Sequence, residues 1–200
     1  GANINAKDNL GKTPVMVIMP QDKINEIYSI MQKHNADLSE KDMYGDTVLH
    51  NAAMMNVSSE VVLQLINGGA DVNARNKEGV TPLEIAVQKG NLNLANYLTV
   101  YGANIHTQDT KGRSPLKLAL EADNKMLEAI LKRENSTSQD TDGNTPLHIA
   151  LINDVPLSKI QYIVSLTDDV NIRNKDGNSP LFLTVLKNRQ KVGELLLAKN

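Results

Sequence analysis

The sequence predicts an all-α repeat solenoid of stacked helix-turn-helix units with projecting β-hairpin loops. Three observations predict it. A short motif, an Asp or Asn three residues before a Gly and then a Thr or Ser, recurs six times. Its period is nearly constant. And each copy opens an amphipathic run that is followed by a second one. Self-similarity at about 33 residues means that no unit can bury its own apolar faces, so neighbouring units must stack.

The copies are DNLGKTPV, DMYGDTVL, NKEGVTPL, DTKGRSPL, DTDGNTPL and NKDGNSPL, with glycines at Gly11, Gly45, Gly79, Gly112, Gly143 and Gly177, spaced by 34, 34, 33, 31 and 34. Asp or Asn at the first position of a four-residue turn and Gly at the fourth suit a type I turn. Thr13, Thr47, Thr81, Ser114, Thr145 and Ser179 follow, each able to cap a helix with its hydroxyl. Pro comes next in every copy except the second, which has Val48; at the first helical position its missing N–H costs nothing. An apolar residue and then a small one, as in Leu83 with Ala86 or Leu147 with Ala150, share one face of that first helix.

The second helix is read from runs such as Val61-Val62…Leu65-Ile66 and Leu195-Leu196-Leu197. It stops at Gly69-Ala70 or Gly102-Ala103, where Gly supplies a left-handed closing residue, and Asn35 serves the same end. The resulting units span approximately 3–38, 39–72, 73–105, 106–137, 138–170 and 171–200, numbered here as repeats 1 to 6, in a single array. Two departures are visible. Repeat 4 is short and its LKRENSTSQ lacks the Gly-Ala pair, and repeat 5 ends in Leu166-Thr-Asp-Asp-Val170 without Gly. Local changes in stacking or loop geometry are expected there, with the array surviving them. The opening Gly1-Ala-Asn-Ile-Asn5, the apolar run Val15 to Met19 and the absence of an initiator Met suggest a window of a longer protein.

The motif D-x-x-G-x-T-P-L-H with a later G-A-D-V-N resembles the ankyrin repeat, and Asp140 to Ala150 (DTDGNTPLHIA) is close to its consensus. The resemblance covers nearly the whole chain. It implies a curved stack of helix pairs whose hairpin tips and inner helical face bind protein partners.

Composition excludes several functions. A net charge of −2 and 3% aromatic residues leave little for phosphate attraction or base stacking, so no nucleic acid is expected as a partner. No run is long enough to span a bilayer, and no membrane is expected as a partner. There is no Cys, hence no disulfide or thiolate chemistry. The compartment is undetermined by the sequence, with the cytoplasm as default.

No catalytic pattern emerges. His50 and His148 occupy the T-x-L-H slot, to which the resemblance assigns a structural role. His34 and His106 are read as solvated loop residues without a second ligand at metal spacing. Asp8, Asp42, Asp109 and Asp140 are accounted for by turn chemistry, and no phosphate-binding Gly-rich loop occurs. Neither a cofactor nor a metal is expected, and the chain is read as a non-enzyme.

Positions without structural duty flank each turn Gly and end each first helix, as Pro20 and Gln21 do in repeat 1. Only repeat 2 combines apolar or aromatic residues at both places: Met43 and Tyr44 at the tip, Met54 and Met55 at the helix end. With Leu10 and Val80 as edges, and with Lys41, Asp46, Arg75 and Lys77 around them, these form the candidate partner-binding set. Exposed contiguous apolar area marks interaction sites. The row Lys7, Lys41, Arg75 and Arg173 favours an acidic partner segment. The expected function is a monomeric, non-catalytic module for an unidentified protein or peptide. Two alternatives stand beside it: a spacer or targeting arm on a catalytic domain elsewhere, and Met residues that merely pack between repeats.

Overall fold

The structure, a computed structural model, describes residues 2–17, 29–30 and 33–199. Ile18 and Met19 of the apolar run, and Pro20 and Gln21, lie outside the described residues. Eleven α-helices and one 3-10 turn form among the described residues, with no strand. The helices are α1 (Pro14–Val17), α2 (Val48–Met55), α3 (Ser59–Asn67), α4 (Pro82–Gln88), α5 (Leu92–Val100), α6 (Pro115–Glu121), α7 (Asn124–Ile130), α8 (Pro146–Ile152), α9 (Leu157–Leu166), α10 (Pro180–Leu186) and α11 (Gln190–Ala198). Contacts divide the chain into two compact units, residues 1–115 and 116–200.

The first helix of each repeat begins where the motif places it. Thr81, Thr145 and Ser179 accept bonds from the backbone N–H three residues on, and Pro82, Pro146 and Pro180 open their helices. The turn before each helix is closed by its Asp or Asn. Asp42 Oδ1 accepts from the N–H groups of Tyr44 and Asp46 at 2.9 Å each, and its carbonyl accepts from Gly45. Gly45 has φ +81°, and a Cβ there would stand 2.8 Å from the Lys77 nitrogen. Only Gly fits. The projecting loops are therefore tight turns joined tip to tip by single backbone bonds: Met43 N–H to Leu10 O, Lys77 N–H to Tyr44 O, Thr110 N–H to Glu78 O and, in the second unit, Lys175 N–H to Asp142 O.

Helix ends follow two chemistries. Asn35, Gly69 and Gly102 take the left-handed conformation expected after second helices. The first helices of repeats 2, 3, 5 and 6 end the same way at Asn56, Gly90, Asp154 and Asn188, polar or small residues that the motif does not flag.

In the first unit α2 packs on α4 and on α1, α3 on α5, and α4 on α5. Met16, Leu49, Leu65, Leu83 and Leu98 are wholly buried there, each worth about 1.5–3 kcal/mol of transfer free energy. In the second unit α8 packs on α9 and α10, and α11 on α9 and α10, around Leu127, Ile130, Leu147, Leu151 and Ile160.

Repeat 4 departs as its sequence foretells. Without Gly, α7 gives way to an extended Leu131 (ψ 115°) and a 3-10 turn over Arg133–Asn135. Ser136 Oγ donates to Leu166 O at 3.2 Å, and Arg133 pairs with Asp168, binding this turn to the Gly-less end of α9. Lys159 is buried and donates its ammonium to the Ala122 carbonyl at 2.6 Å and to that of Leu120, satisfying the C-terminal end of α6.

Candidate functional site

Two exposed groups of side chains in repeat 2 define the candidate surface. Met43 and Tyr44, 49% and 56% exposed, stand on a tip fastened on both sides by the bonds to Leu10 O and from Lys77 N–H. Met54 and Met55, both 41% exposed, close α2. Leu10, on the adjoining tip of repeat 1, is exposed too. At 1.5 Å per residue, the eight residues of α2 make a helix about 12 Å long between Val48 and Met55.

Two of the expected residues do not reach this surface. Val80 is buried: its N–H is held by Asn76 Oδ1, and its carbonyl accepts from His50 Nε2 at 2.9 Å. Asp46 is buried as well, accepting from Asn76 Nδ2 at 2.8 Å across the junction between repeats 2 and 3. Both stand beside a turn Gly, where sequence spacing cannot tell a tip residue from one roofed over by the next repeat.

The basic row has a second role. Lys7 Nζ donates to Lys41 O (3.0 Å), Lys41 Nζ to Arg75 O (2.9 Å), and Arg75 Nη2 to Gln108 O (2.8 Å). Each cation ties its own repeat to the corresponding residue of the next. Lys7 also pairs with Glu40 at 2.6 Å. In the second unit Gln139 makes the equivalent link to Arg173 O, and Arg173 turns back to Gly177 O. Lys41, Arg75 and Lys77 remain exposed and charged, so the row is at once a staple and a source of positive potential.

Beneath the surface the two T-x-L-H histidines do identical structural work. His50 Nδ1 accepts from the Thr47 N–H at 3.2 Å while Nε2 meets the Val80 carbonyl. His148 Nδ1 accepts from the Thr145 N–H at 3.3 Å while Nε2 meets Asn178 O at 3.0 Å. A ring that accepts at Nδ1 and donates at Nε2 is neutral, and burial holds both groups below the ordinary histidine range. His34 is exposed as expected, but His106 is buried in its loop rather than solvated. Among the described residues no cluster of three or more His, Asp or Glu is placed to hold a metal ion, and no helix is long and apolar enough to cross a membrane.

A second exposed apolar set lies in repeats 5 and 6: Ile152 and Leu186, which end first helices and so belong to the positions without structural duty, together with Phe182, Val185 and Leu197, which escaped the sequence reading. Val185 occupies the slot filled by Leu151 in repeat 5 yet is 73% exposed, and it lines an open groove of about 410 Å³ with Leu181, Thr184 and Leu197. The signal was available in Phe182, which stands where the T-x-L-H motif has His.

Comparison with known proteins agrees with this architecture. The family model for ankyrin repeats (three copies) matches overlapping segments 1–76, 22–109, 55–140, 83–173 and 123–200. A putative ankyrin repeat protein of Rickettsia bellii is 44% identical over 68 residues, 34% of this chain and 40% of that protein. The ankyrin repeat protein OPG189 of Variola virus is 33% identical over 99 residues, 49% of this chain and 17% of that protein. The tyrosine-protein kinase HTK16 of Hydra vulgaris is 32% identical over 102 residues, 50% of this chain and 13% of that kinase. The chain thus spans two-fifths or less of these relatives. The crystal structure of the ankyrin repeat domain of Bcl-3, a member of the IkappaB family, superposes with a TM-score of 0.67 at 25% identity, covering 97% of this chain and 86% of that one. With its six turn motifs, its neutral capping histidines and a family match from end to end, the chain belongs to the ankyrin-repeat family.

Proposed function

We propose that the chain is a non-catalytic binding module whose first unit takes a protein or peptide segment on the tips of repeats 1 to 3 and the end of α2. Ankyrin repeats in general are protein–protein interaction modules. The observation that carries the reading here is the exposure of Met43 and Tyr44 on a tip anchored from both sides. An anchored tip loses little conformational entropy on binding, so its apolar area converts into affinity with less loss. Tyr is a frequent interface anchor, and Met adapts to irregular partner shapes. Lys41, Arg75 and Lys77 add positive potential beside this set and favour an acidic segment in the partner.

The reading is tested by capturing partners from lysate of the source organism or its host with wild type and with a Met43→Asp, Tyr44→Asp, Met55→Asp variant. Circular dichroism verifies that both are folded. A partner lost from the variant alone supports the reading; identical captures defeat it.

A second reading, an arm that positions a catalytic domain, is favoured by one observation. Half of this chain aligns with 13% of a tyrosine kinase, so ankyrin segments like this one occur within larger enzymes. Here the charged variant would leave any attached activity intact but misdirect it, which an assay of substrate choice would detect.

A further inference from the structure

Repeat 3 departs from the capping pattern of repeats 2 and 5. Where repeats 2 and 5 have His50 and His148, it has Glu84, and that side chain is wholly buried. A buried carboxylate is costly unless paired or protonated. Glu84 Oε1 accepts from Gln88 Nε2 at 2.9 Å and lies 3.3 Å from Arg113 Nη2, whereas Oε2, equally buried, has no hydrogen-bond partner.

The same Arg113 nitrogen is 2.6 Å from Asp109 Oδ2, and Arg113 Nε contacts that oxygen at 2.8 Å. Arg113 is thus committed to Asp109, with Glu84 a secondary partner. Burial pushes Asp109 up, but hydrogen bonds from the Arg113 side chain and from the backbone N–H groups of Arg113 and Lys111 outweigh it and hold the carboxyl below its ordinary range. Asp109 therefore stays ionised. Burial first, and then the Asp109 charge, push Glu84 up to about 7.

The other charged groups around the site are few. From α2 the titratable neighbour is His50, neutral and turned to the Val80 carbonyl, and α5 carries only the Tyr97 phenol. Glu78, on the repeat 3 tip, acts on Arg113. Lys117 occupies the corresponding slot in the sequence of repeat 4.

We propose that Glu84, Asp109 and Arg113 form a proton-operated clasp between α4 of repeat 3 and the tip of repeat 4. When Glu84 is protonated, its O–H donates to the Asp109 carboxylate, and one guanidinium balances one negative charge. When Glu84 loses its proton, two carboxylates, both buried, face one half-buried guanidinium, and the clasp loosens. The bond from Gln88 to Glu84 carries the change to the exposed end of α4. Repeat 3 is therefore tightest in mild acid and relaxes as the pH rises past neutrality.

The test is hydrogen exchange at Leu83 to Val87, corrected for intrinsic rates, in wild type and in Glu84→Gln between pH 5.5 and 8. The proton linkage alone predicts that protection in wild type falls about 25-fold more than in Glu84→Gln across that range. Glu84→His provides a variant whose side chain the same slot already accepts in repeats 2 and 5, and its protection should instead rise with pH. A carbon-13 titration of the Glu84 carboxyl gives a direct reading, with a midpoint near neutrality expected. A midpoint in the ordinary glutamate range, or equal pH slopes in wild type and Glu84→Gln, overturns the proposal.

Discussion

Repeats 2 and 5 are built on one skeleton and dressed differently. In both, an Asp closes the turn by accepting two backbone N–H groups, a neutral His joins its capping Thr to the next repeat's carbonyl, and an Asn of the following repeat bridges the tips. Yet where repeat 2 exposes Met43, Tyr44, Met54 and Met55, repeat 5 carries Thr141, Asp142, Ile152 and Asn153. Identical geometry with different surface chemistry separates the residues that make the fold from those free to serve a partner. It also explains why Asp46 belongs to the first class: it answers Asn76 as Asn144 answers Asn174.

If that separation is sound, skeleton changes should cost stability equally in the two repeats. His50→Ala and His148→Ala each strip a buried ring that bonds at both nitrogens, and each should cost about 2–4 kcal/mol in urea denaturation. A large difference between them would break the equivalence. Gly45→Ala combines a left-handed φ with a Cβ 2.8 Å from the Lys77 nitrogen, and about 2–3 kcal/mol is expected. Gly177→Ala has the same φ but nothing within 4 Å, so its cost should be nearer 1 kcal/mol.

Acid sharpens the comparison further. His50 and His148 are held below the ordinary histidine range, so the unfolded chain binds more protons than the native one as the pH falls through that range. Their contribution is present above the unfolded value and lost in acid. Glu84, raised to about 7, has the opposite sign: its contribution is present below the unfolded glutamate value and lost as pH rises through 7. Denaturation midpoints of Glu84→Gln at pH 5 and 7.5 should therefore show greater acid sensitivity than wild type. Smaller still is the staple: Arg75→Ala removes an exposed bond to Gln108 O and a longer one to Gly79 O and should cost about 1 kcal/mol. Smallest are Met43→Asp and Tyr44→Asp, which on an exposed tip should stay within about 0.5 kcal/mol of wild type in stability.

Much of this was legible in the chain. Turn, cap and helix-end chemistry are local, so Gly45, Thr81 and Gly102 announced their roles, and the missing Gly of repeat 4 announced the irregular turn at Arg133–Asn135. What escaped depends on the neighbouring repeat. The burial of Val80 and Asp46 is imposed by the residues that roof them, and the carbonyls that receive Lys41 and Arg75 lie 33 or 34 residues away. Exposure of Val185 is likewise a property of its surroundings, since its slot reads as core in repeat 5. Glu84 was visible as a departure from T-P-L-H, but its meaning needed Asp109 and Arg113 in place.

The most direct test exchanges the surfaces of the two compared repeats. One variant carries Met43→Thr, Tyr44→Asp, Met54→Ile and Met55→Asn; the other carries Thr141→Met, Asp142→Tyr, Ile152→Met and Asn153→Met. Partner capture and urea midpoints are measured for both against wild type. The account predicts near-wild-type midpoints for both, with the partner lost only from the first variant. Retention of the partner by that variant, or unfolding of either, would contradict the separation of skeleton from surface.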